Sequence, residues 1–122
     1  MRQPVGSVVQ MIRIDQYFLY AQPTDMRSGV DRLLSLVITA QGRAMPHTAY
    51  LFANQGKSRL KVLIHDEFGV WLATRRLHQG RFVWAQSQLE VSVTLSRSQF
   101  DALIVGLPWQ RMTQLQAGIN IL

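Results

Sequence analysis

The sequence contains no cysteine and no long apolar run. The lack of cysteine excludes disulfide bonds, thiolate catalysis and zinc sites built on sulfur. No apolar run approaches the roughly 18 residues that a helix needs to cross a bilayer. The N-terminal residues have neither a long apolar region nor a small-residue cleavage site, as an export signal would. The sequence therefore predicts a cytoplasmic protein with no membrane partner.

Acidic side chains are also few. A two-metal nuclease must hold several carboxylates around divalent ions about 3.5–4 Å apart. Two of the acidic residues here fall at a predicted helix start or on its surface, and two more fall in a predicted hairpin turn. A small metal-dependent nuclease is therefore the less favoured alternative for this chain. The seven carboxylates are Asp15, Asp25, Asp31, Asp66, Glu67, Glu90 and Asp101.

The motifs of common enzyme and cofactor sites are missing as well. His47, His65 and His78 have neither the helical spacing nor the cysteine companions that are typical of a zinc site. The chain has no glycine-rich phosphate loop, nucleophile elbow or dinucleotide fingerprint. The sequence therefore predicts no metal, no cofactor and no catalytic residue.

What the sequence does have is positive charge. The 122 residues carry 13 lysines and arginines against seven carboxylates, which gives a net charge of +6. Eleven of the 13 are arginine, whose planar guanidinium fits phosphate and carboxylate groups. A basic, arginine-rich chain favours a polyanionic partner such as nucleic acid. The 48% of apolar residues, spread along the chain, indicate one globular domain.

The clearest helix signal begins near Thr24. Thr24 is a suitable N-cap and Asp25 suits the positive end of the helix dipole, so we predict a helix from Asp25 to about residue 40. Arg27 and Gly29 both weaken such a start. Either they serve a ligand, or Gly29 packs on a strand and Arg27 pairs with Asp31 at i,i+4. We favour packing for Gly29 and leave Arg27 open.

Strand signals dominate the middle of the chain, and a second helix over 97–105 follows a Ser96 cap. We predict a single-domain α+β fold, a mainly antiparallel sheet of five to six strands with two helices packed on one side of it. The domain spans 11–109, between a loose leader at 1–10 and a tail at 110–122. Strands are predicted at 12–20, 49–54, 58–65, 70–77, 81–85 and 89–95.

The strongest functional signal is a basic hairpin. A turn of sequence DEFG predicts that His65 faces Val70, that Arg59 faces Arg76 and that Lys61 faces Thr74. Like charges that face each other destabilise a sheet, so their presence indicates an anionic ligand. The alternative is a solvated face that protects an edge strand from aggregation. The cluster contains Lys57, Arg59, Lys61, Arg75, Arg76 and Arg81.

Two further points qualify this hairpin. Strict alternation turns Arg75 toward the core side of the sheet, so it is the weakest member of the cluster. Trp71, Phe82 and Trp84 could stack on nucleic-acid bases. Trp71 and Phe82 are better explained as core aromatics.

Three stretches resemble a known family: "PTDMRSGVDRLLSLV", "LFANQGKSRLKVLIHDEFGVWLATRRLHQGRFVW" and "LIVGLPW". They are similar to the TnpB-type, second-open-reading-frame accessory protein of insertion-sequence family sixty-six, from Met11 to about Trp109. The resemblance implies a non-catalytic protein that is required for DNA transposition beside a separate transposase. The family-motif positions that it implies are Thr24, Asp25, Met26, Gly29, Asp66, Gly69, Gly80, Phe82 and Trp84.

Residue pattern and resemblance together lead to one hypothesis. The protein binds the DNA backbone without reading sequence, the partner transposase of the same element, or both. A purely protein-binding subunit and a homo-oligomer remain open alternatives. The predicted DNA-binding residues are Arg27, Lys57, Arg59, Lys61, Arg76 and Arg81.

Overall fold

The structure, a computed structural model, describes residues 12–85 and 91–111. The predicted leader at 1–10, most of the predicted tail and the start of the predicted strand at 89–95 lie outside these residues. The elements are β1 (Gln16–Tyr20), α1 (Val30–Gln41), β2 (Thr48–Ala53), β3 (Arg59–His65), β4 (Val70–Arg76), β5 (Ser92–Leu95), α2 (Arg97–Leu103) and a 3-10 helix (Trp109–Arg111).

The five strands form one sheet in the order β4-β3-β2-β1-β5. Strands β2, β3 and β4 form an antiparallel meander, and β5 pairs with β1 in the antiparallel direction. Strand β1 runs parallel to β2 because α1 connects the two as a crossover. The predicted α+β class, with a mainly antiparallel sheet and two helices, is confirmed.

The two helices lie on opposite faces of this sheet, so the prediction that both pack on one side is wrong. Leu33 and Val37 of α1 pack on one face, together with Phe52. Phe100 and Leu103 of α2 pack on the other. The central strand β2 is consequently buried along its whole length. Alternating side chains of one strand thus serve two separate cores.

Helix α1 starts at Val30, five residues later than predicted, and Gly29 is its N-cap without any side-chain cap. The predicted cap, Thr24, is instead buried, and its amide donates to the Ala53 carbonyl. A Cβ placed on Gly29 would meet nothing within 4 Å, so the prediction that Gly29 packs on a strand is also wrong. Glycine is an accepted N-cap residue, which explains its presence there.

A turn precedes the helix. The Ser28 amide donates to the Asp25 carbonyl, and the Asp25 side chain accepts a 2.9 Å bond from the Arg27 amide. This side-chain bond stabilises a turn rather than the first turn of a helix. Arg27 pairs with Asp25 at 2.8 Å and not with Asp31, the partner considered in the sequence. Local side-chain chemistry therefore delays the helix.

The second helix agrees with its sequence signals. Ser96 and Gln99 form a reciprocal capping box at the start of α2. Phe100 and Leu103 are buried and form the apolar side of this helix. Gly106 adopts a φ of 83°, which ends the helical path. Within the described residues, no helix has the length and apolar character that crossing a membrane requires.

The predicted strand at 81–85 is not a strand. This segment is held by other contacts: the Phe82 amide donates to the Lys57 carbonyl at 2.8 Å. The Trp84 indole N–H donates to the Tyr20 carbonyl at 2.9 Å. Both aromatic rings are buried in the core beneath the sheet. The segment therefore follows the core without joining the sheet.

Candidate nucleic-acid interface

The β3–β4 hairpin has the predicted register, with His65 opposite Val70 and Arg59 opposite Arg76. Asp66 and Gly69 are joined by a backbone hydrogen bond next to the turn. Because hydrogen-bonded and non-hydrogen-bonded pairs alternate along an antiparallel ladder, Arg59 and Arg76 form a non-hydrogen-bonded pair. The Cα atoms of such a pair are only about 4.5 Å apart. The side chains of the two arginines therefore project side by side from the same face of the sheet.

Arg59 and Arg76 have no acidic partner among the described residues. The side chains of Arg59 and Arg76 are exposed. Across residues 12–85 and 91–111, neither of them makes an ion pair with a carboxylate. Within this part of the chain, two like charges therefore face each other without a compensating carboxylate.

The loop between β2 and β3 places Arg59 at this end of the hairpin. The Asn54 side-chain carbonyl accepts from the amides of Ser58 and Arg59, at 2.9 and 3.1 Å. The Asn54 side-chain amide donates to the Ser58 hydroxyl at 2.9 Å. Lys57 in this loop has a φ of 59°, a conformation that non-glycine residues rarely adopt. The Asn54 hydrogen bonds thus hold the loop in a defined conformation immediately before β3.

A second basic segment returns to the same end. Gly80 adopts a φ of 78°, and Phe82 then bonds to the Lys57 carbonyl. The turn therefore brings the exposed Arg81 next to the β2–β3 loop. Arg59, Arg76 and Arg81 lie together at the open end of the hairpin, which we call the arginine end.

Lys57 also lies at the arginine end, but it is only half exposed. Its ammonium group lies 6.0 Å from the centre of the Trp84 ring and 3.3 Å from the Asn54 carbonyl oxygen. Burial lowers the pKa of Lys57. Its ammonium group thus lies over the indole ring of Trp84, beside the arginine end.

Two other basic residues have structural partners. The Lys61 ammonium donates to the Ser28 carbonyl at 2.7 Å and so ties β3 to the start of α1. Arg75 lies on the opposite face of the sheet, as predicted, and donates to the Ile104 carbonyl at 2.9 Å. Both groups are committed to the fold, which leaves them less available to an external anion than Arg59 and Arg76.

Arg27 lies across an open cleft from Arg59. The cleft has a volume of about 460 Å³ and includes Pro23, Met26 and Gly56 in its wall. The Arg27 guanidinium is 91% exposed and holds the pKa of the Asp25 carboxyl at about 2. Arg27 is thus solvent-accessible but already paired with one carboxylate.

A second open cleft lies beside Arg76. It has a volume of about 300 Å³ and is lined by Arg75, Arg76, Leu77, His78 and Val105. Since Arg59 borders the first cleft and Arg76 the second, the arginine pair separates the two. A chain of phosphates that crosses this pair would have open space on both sides.

The family-motif positions have mainly structural surroundings. Thr24, Phe82 and Trp84 are buried, and Met26 packs against the core beneath α1. Asp66 accepts from the Phe68 and Gly69 amides, and these bonds lower the pKa of its carboxyl. These contacts stabilise the loops and turns on which the basic residues stand.

The aromatic predictions are only partly right. Phe82 is a core aromatic as predicted, whereas Trp71 is 51% exposed, so the prediction of a core position for it is wrong. Burial of Phe82 and Trp84 removes both rings from the stacking surface. Trp71 is exposed because β4 is the edge strand of the sheet.

The carboxylates of the described residues are dispersed rather than gathered. No group of three or more potential metal ligands occurs within residues 12–85 and 91–111. Asp15 pairs with Arg13 and Asp101 with Arg97, and Glu67 lies 3.3 Å from His47. The geometry here offers no support for two-metal chemistry.

Sequence reasoning overlooked one residue that shapes the site. The Asn54 side chain makes three hydrogen bonds within its loop, whereas the sequence placed Asn54 only at the end of a predicted strand. Asparagine is a common turn residue because its side chain bonds to the following backbone. Its position immediately before the basic strand β3 was the signal that could have indicated this role.

Comparison with known proteins finds one family model and two relatives that each match most of the chain. A family model described as "IS66 Orf2 like protein" matches residues 15–114. The "Uncharacterized protein y4jC" of Sinorhizobium fredii is 31% identical over 93 residues, which cover 75% of this chain and 78% of that protein. The "Uncharacterized protein y4hO" of the same organism is 35% identical over 89 residues, covering 71% and 76%. No solved structure matches the chain.

Proposed function

Because the chain belongs to the IS66 Orf2-like family, we propose that it is a non-catalytic accessory protein of DNA transposition. Its arginine end binds the phosphate backbone of DNA, beside the transposase of the same element. Chemical steps on DNA belong to that separate transposase. The accessory protein supplies positive charge on a rigid frame.

The observation that carries this proposal is the Arg59–Arg76 pair. Two exposed guanidinium groups in the closest type of cross-strand pair repel each other. A phosphate between them would accept hydrogen bonds from both forks and remove that repulsion. The pair is therefore better suited to a bound anion than to the free protein.

The expected binding mode is sequence-independent. Contacts to phosphates position a protein on DNA but carry no direct sequence information. The three arginines of the arginine end and the neighbouring Lys57 supply four cations, so about four phosphates would be neutralised. The logarithm of the binding constant should then fall with the logarithm of the salt concentration with a slope of about −3 to −4.

The test compares two variants that lose the same charge. Arg59→Gln with Arg76→Gln removes the arginine pair. Arg13→Gln with Arg43→Gln is the control, because both are exposed and lie toward the opposite end of the sheet, near the β3–β4 turn. Each protein is titrated against two unrelated DNA duplexes by fluorescence anisotropy at several salt concentrations.

We expect the first variant to weaken binding to both duplexes alike and to flatten the salt slope by about 1.8, from two lost phosphate contacts. The control should keep the slope of the unsubstituted protein. Equal losses in the two variants would show diffuse attraction without a site. Unchanged DNA binding in the first variant would refute the proposal and indicate a protein partner for these arginines.

A further inference from the structure

Among the described residues, strand β4 forms an open edge of the sheet. It pairs only with β3, and no described residue makes a backbone hydrogen bond to its outer side. It runs for seven residues without proline, in an unbroken register with β3. The other edge strand, β5, has only four residues and leads directly into α2. Long, regular, unpaired edges are templates for pairing with another strand.

The outward groups of β4 can be assigned from its register. The hydrogen bond between Asp66 and Gly69 fixes the alternation of the ladder, so Trp71, Ala73 and Arg75 bond to β3. The amides and carbonyls of the intervening residues, Leu72 and Thr74 among them, therefore point away from the sheet. They supply the donors and acceptors that an added strand needs.

The same edge exposes apolar surface. Val70 is 42% exposed and Trp71 is 51% exposed. The Arg75 guanidinium lies on the same face as Trp71 and is held by the Ile104 carbonyl. A fixed cation and a half-exposed indole thus lie on one face of one edge.

We propose that a second copy of this chain pairs with β4, antiparallel, around a twofold axis at Ala73. This register aligns all seven residues of both strands and places Trp71 opposite Arg75 of the other copy. It also places Val70 opposite Arg76, so no arginine faces an arginine. The small Ala73 side chain lets the strands approach at the axis. A twofold interface requires such a self-complementary patch.

Charge and aromatic contacts favour this occupant and this direction. In the antiparallel register each Arg75 lies directly opposite Trp71 of the other copy, which is the pairing that a cation–π contact needs. A parallel arrangement would align Arg75 and Arg76 with their own counterparts. The antiparallel dimer is therefore the arrangement in which the arginines of the edge are matched by apolar and aromatic groups.

The interface is small, and each copy carries a charge of +6. Two paired strands bury less than the roughly 1,200 Å² of a standard interface, so the dimer is weak and reversible. Salt screens the repulsion between the copies. Association should therefore strengthen as salt rises, which is opposite to the salt dependence expected for DNA binding.

The first test uses the absence of native cysteine. At the twofold axis, Ala73 would form a non-hydrogen-bonded pair with its counterpart, with Cα atoms about 4.5 Å apart, which suits a disulfide. We expect Ala73→Cys to form a covalent dimer under mild oxidation in the full-length protein. The matched control is Thr94→Cys on β5, at the opposite edge of the sheet. Crosslinking of the control alone, or equal crosslinking of both, overturns the proposal.

The second test blocks the outward hydrogen bonds. Thr74→Pro removes an outward donor of β4, and Thr94→Pro does the same on β5. Sedimentation equilibrium should show a loss of dimer for Thr74→Pro only, and Trp71→Ala should weaken the dimer about fivefold. A dimer that survives Thr74→Pro in a folded protein refutes the interface. A protein that is monomeric at all concentrations also refutes the interface. This holds even if its β4 edge is found to bind the transposase instead. If the Thr74→Pro variant fails to fold, the Ala73→Cys crosslinking experiment alone tests the interface.

Discussion

Relief of the repulsion between Arg59 and Arg76 should stabilise the protein. Arg76→Gln removes one of two like charges that lie side by side at the arginine end. Arg76→Glu goes further, because it converts the repulsive pair into an attractive one. Most substitutions lower stability, so an increase at this position would be specific to the pair.

The size of the repulsion can be estimated from Coulomb's law, because the register places the two arginines opposite each other. With the charged groups about 6 Å apart in a water-like dielectric, the Coulomb energy is about 0.7 kcal/mol. Screening at about 0.1 M salt reduces it to about 0.4 kcal/mol. Arg76→Gln should therefore raise the free energy of unfolding by about 0.4 to 0.7 kcal/mol, and Arg76→Glu by about twice as much. A gain of 0.7 kcal/mol corresponds to about 3 °C in Tm.

Urea unfolding followed by tryptophan fluorescence measures these changes at about 0.01 M and about 0.1 M salt. Added salt should stabilise the unsubstituted protein, have less effect on Arg76→Gln, and weaken Arg76→Glu. Arg43→Gln, an exposed arginine outside the pair, controls for the general loss of positive charge. If Arg76→Gln gains no more than Arg43→Gln, or if its gain does not shrink with salt, the two arginines do not interact and the reasoning is refuted.

Substitutions at three further positions test the local structure. The Asp25 carboxyl should titrate in NMR with a pKa of about 2, and Arg27→Gln should return that pKa toward 3.8. Because folding lowers this pKa, the Asp25 pair stabilises the protein above the ordinary pKa and this contribution is lost as the pH falls from about 4 to about 2. A pKa that stays low in Arg27→Gln would contradict the assigned cause. Ser96→Ala should lower the free energy of unfolding by about 1 kcal/mol in urea, and Ser96→Asp by less, because aspartate also caps helices. Asn54→Ala should cost about 1–2 kcal/mol, whereas Asn54→Asp keeps the acceptor for the Ser58 and Arg59 amides; equal losses in the two variants would rule out that role for the acceptor.

The β3–β4 hairpin could be predicted residue by residue because its signals are local. Alternating apolar residues and a compact turn together determine both the faces and the register. The arginine pair at 59 and 76 follows directly from that register. The parallel pairing of β1 with β2 could not be predicted in this way, since it depends on where α1 lies. The same missing information led to the wrong placement of the helices on one face.

The remaining errors also come from contacts between distant parts of the chain. Thr24 has the chemistry of an N-cap, but its amide bonds to Ala53 on β2 and leaves the helix to begin later. Phe82 and Trp84 belong to a β-rich stretch, but burial in the core holds them without a neighbouring strand. Propensity describes a residue's local preference, and tertiary packing overrides it at these positions.

The placement of α1 and α2 on opposite faces of the sheet affects which mutations should lower the amount of folded protein in a cell. A helix packs on each face of the sheet, whereas exposed residues such as Arg59 and Trp71 lie along the rim of the sheet, at the end of β3 and on the edge strand β4. Substitutions beneath the helices, at Leu33 or Phe100 for example, would reduce the amount of folded protein in the cell. If Arg59 and Trp71 serve the proposed contacts, substitutions there would leave the amount of folded protein largely unchanged and reduce transposition. Protein abundance therefore separates the two kinds of mutant before any binding is measured.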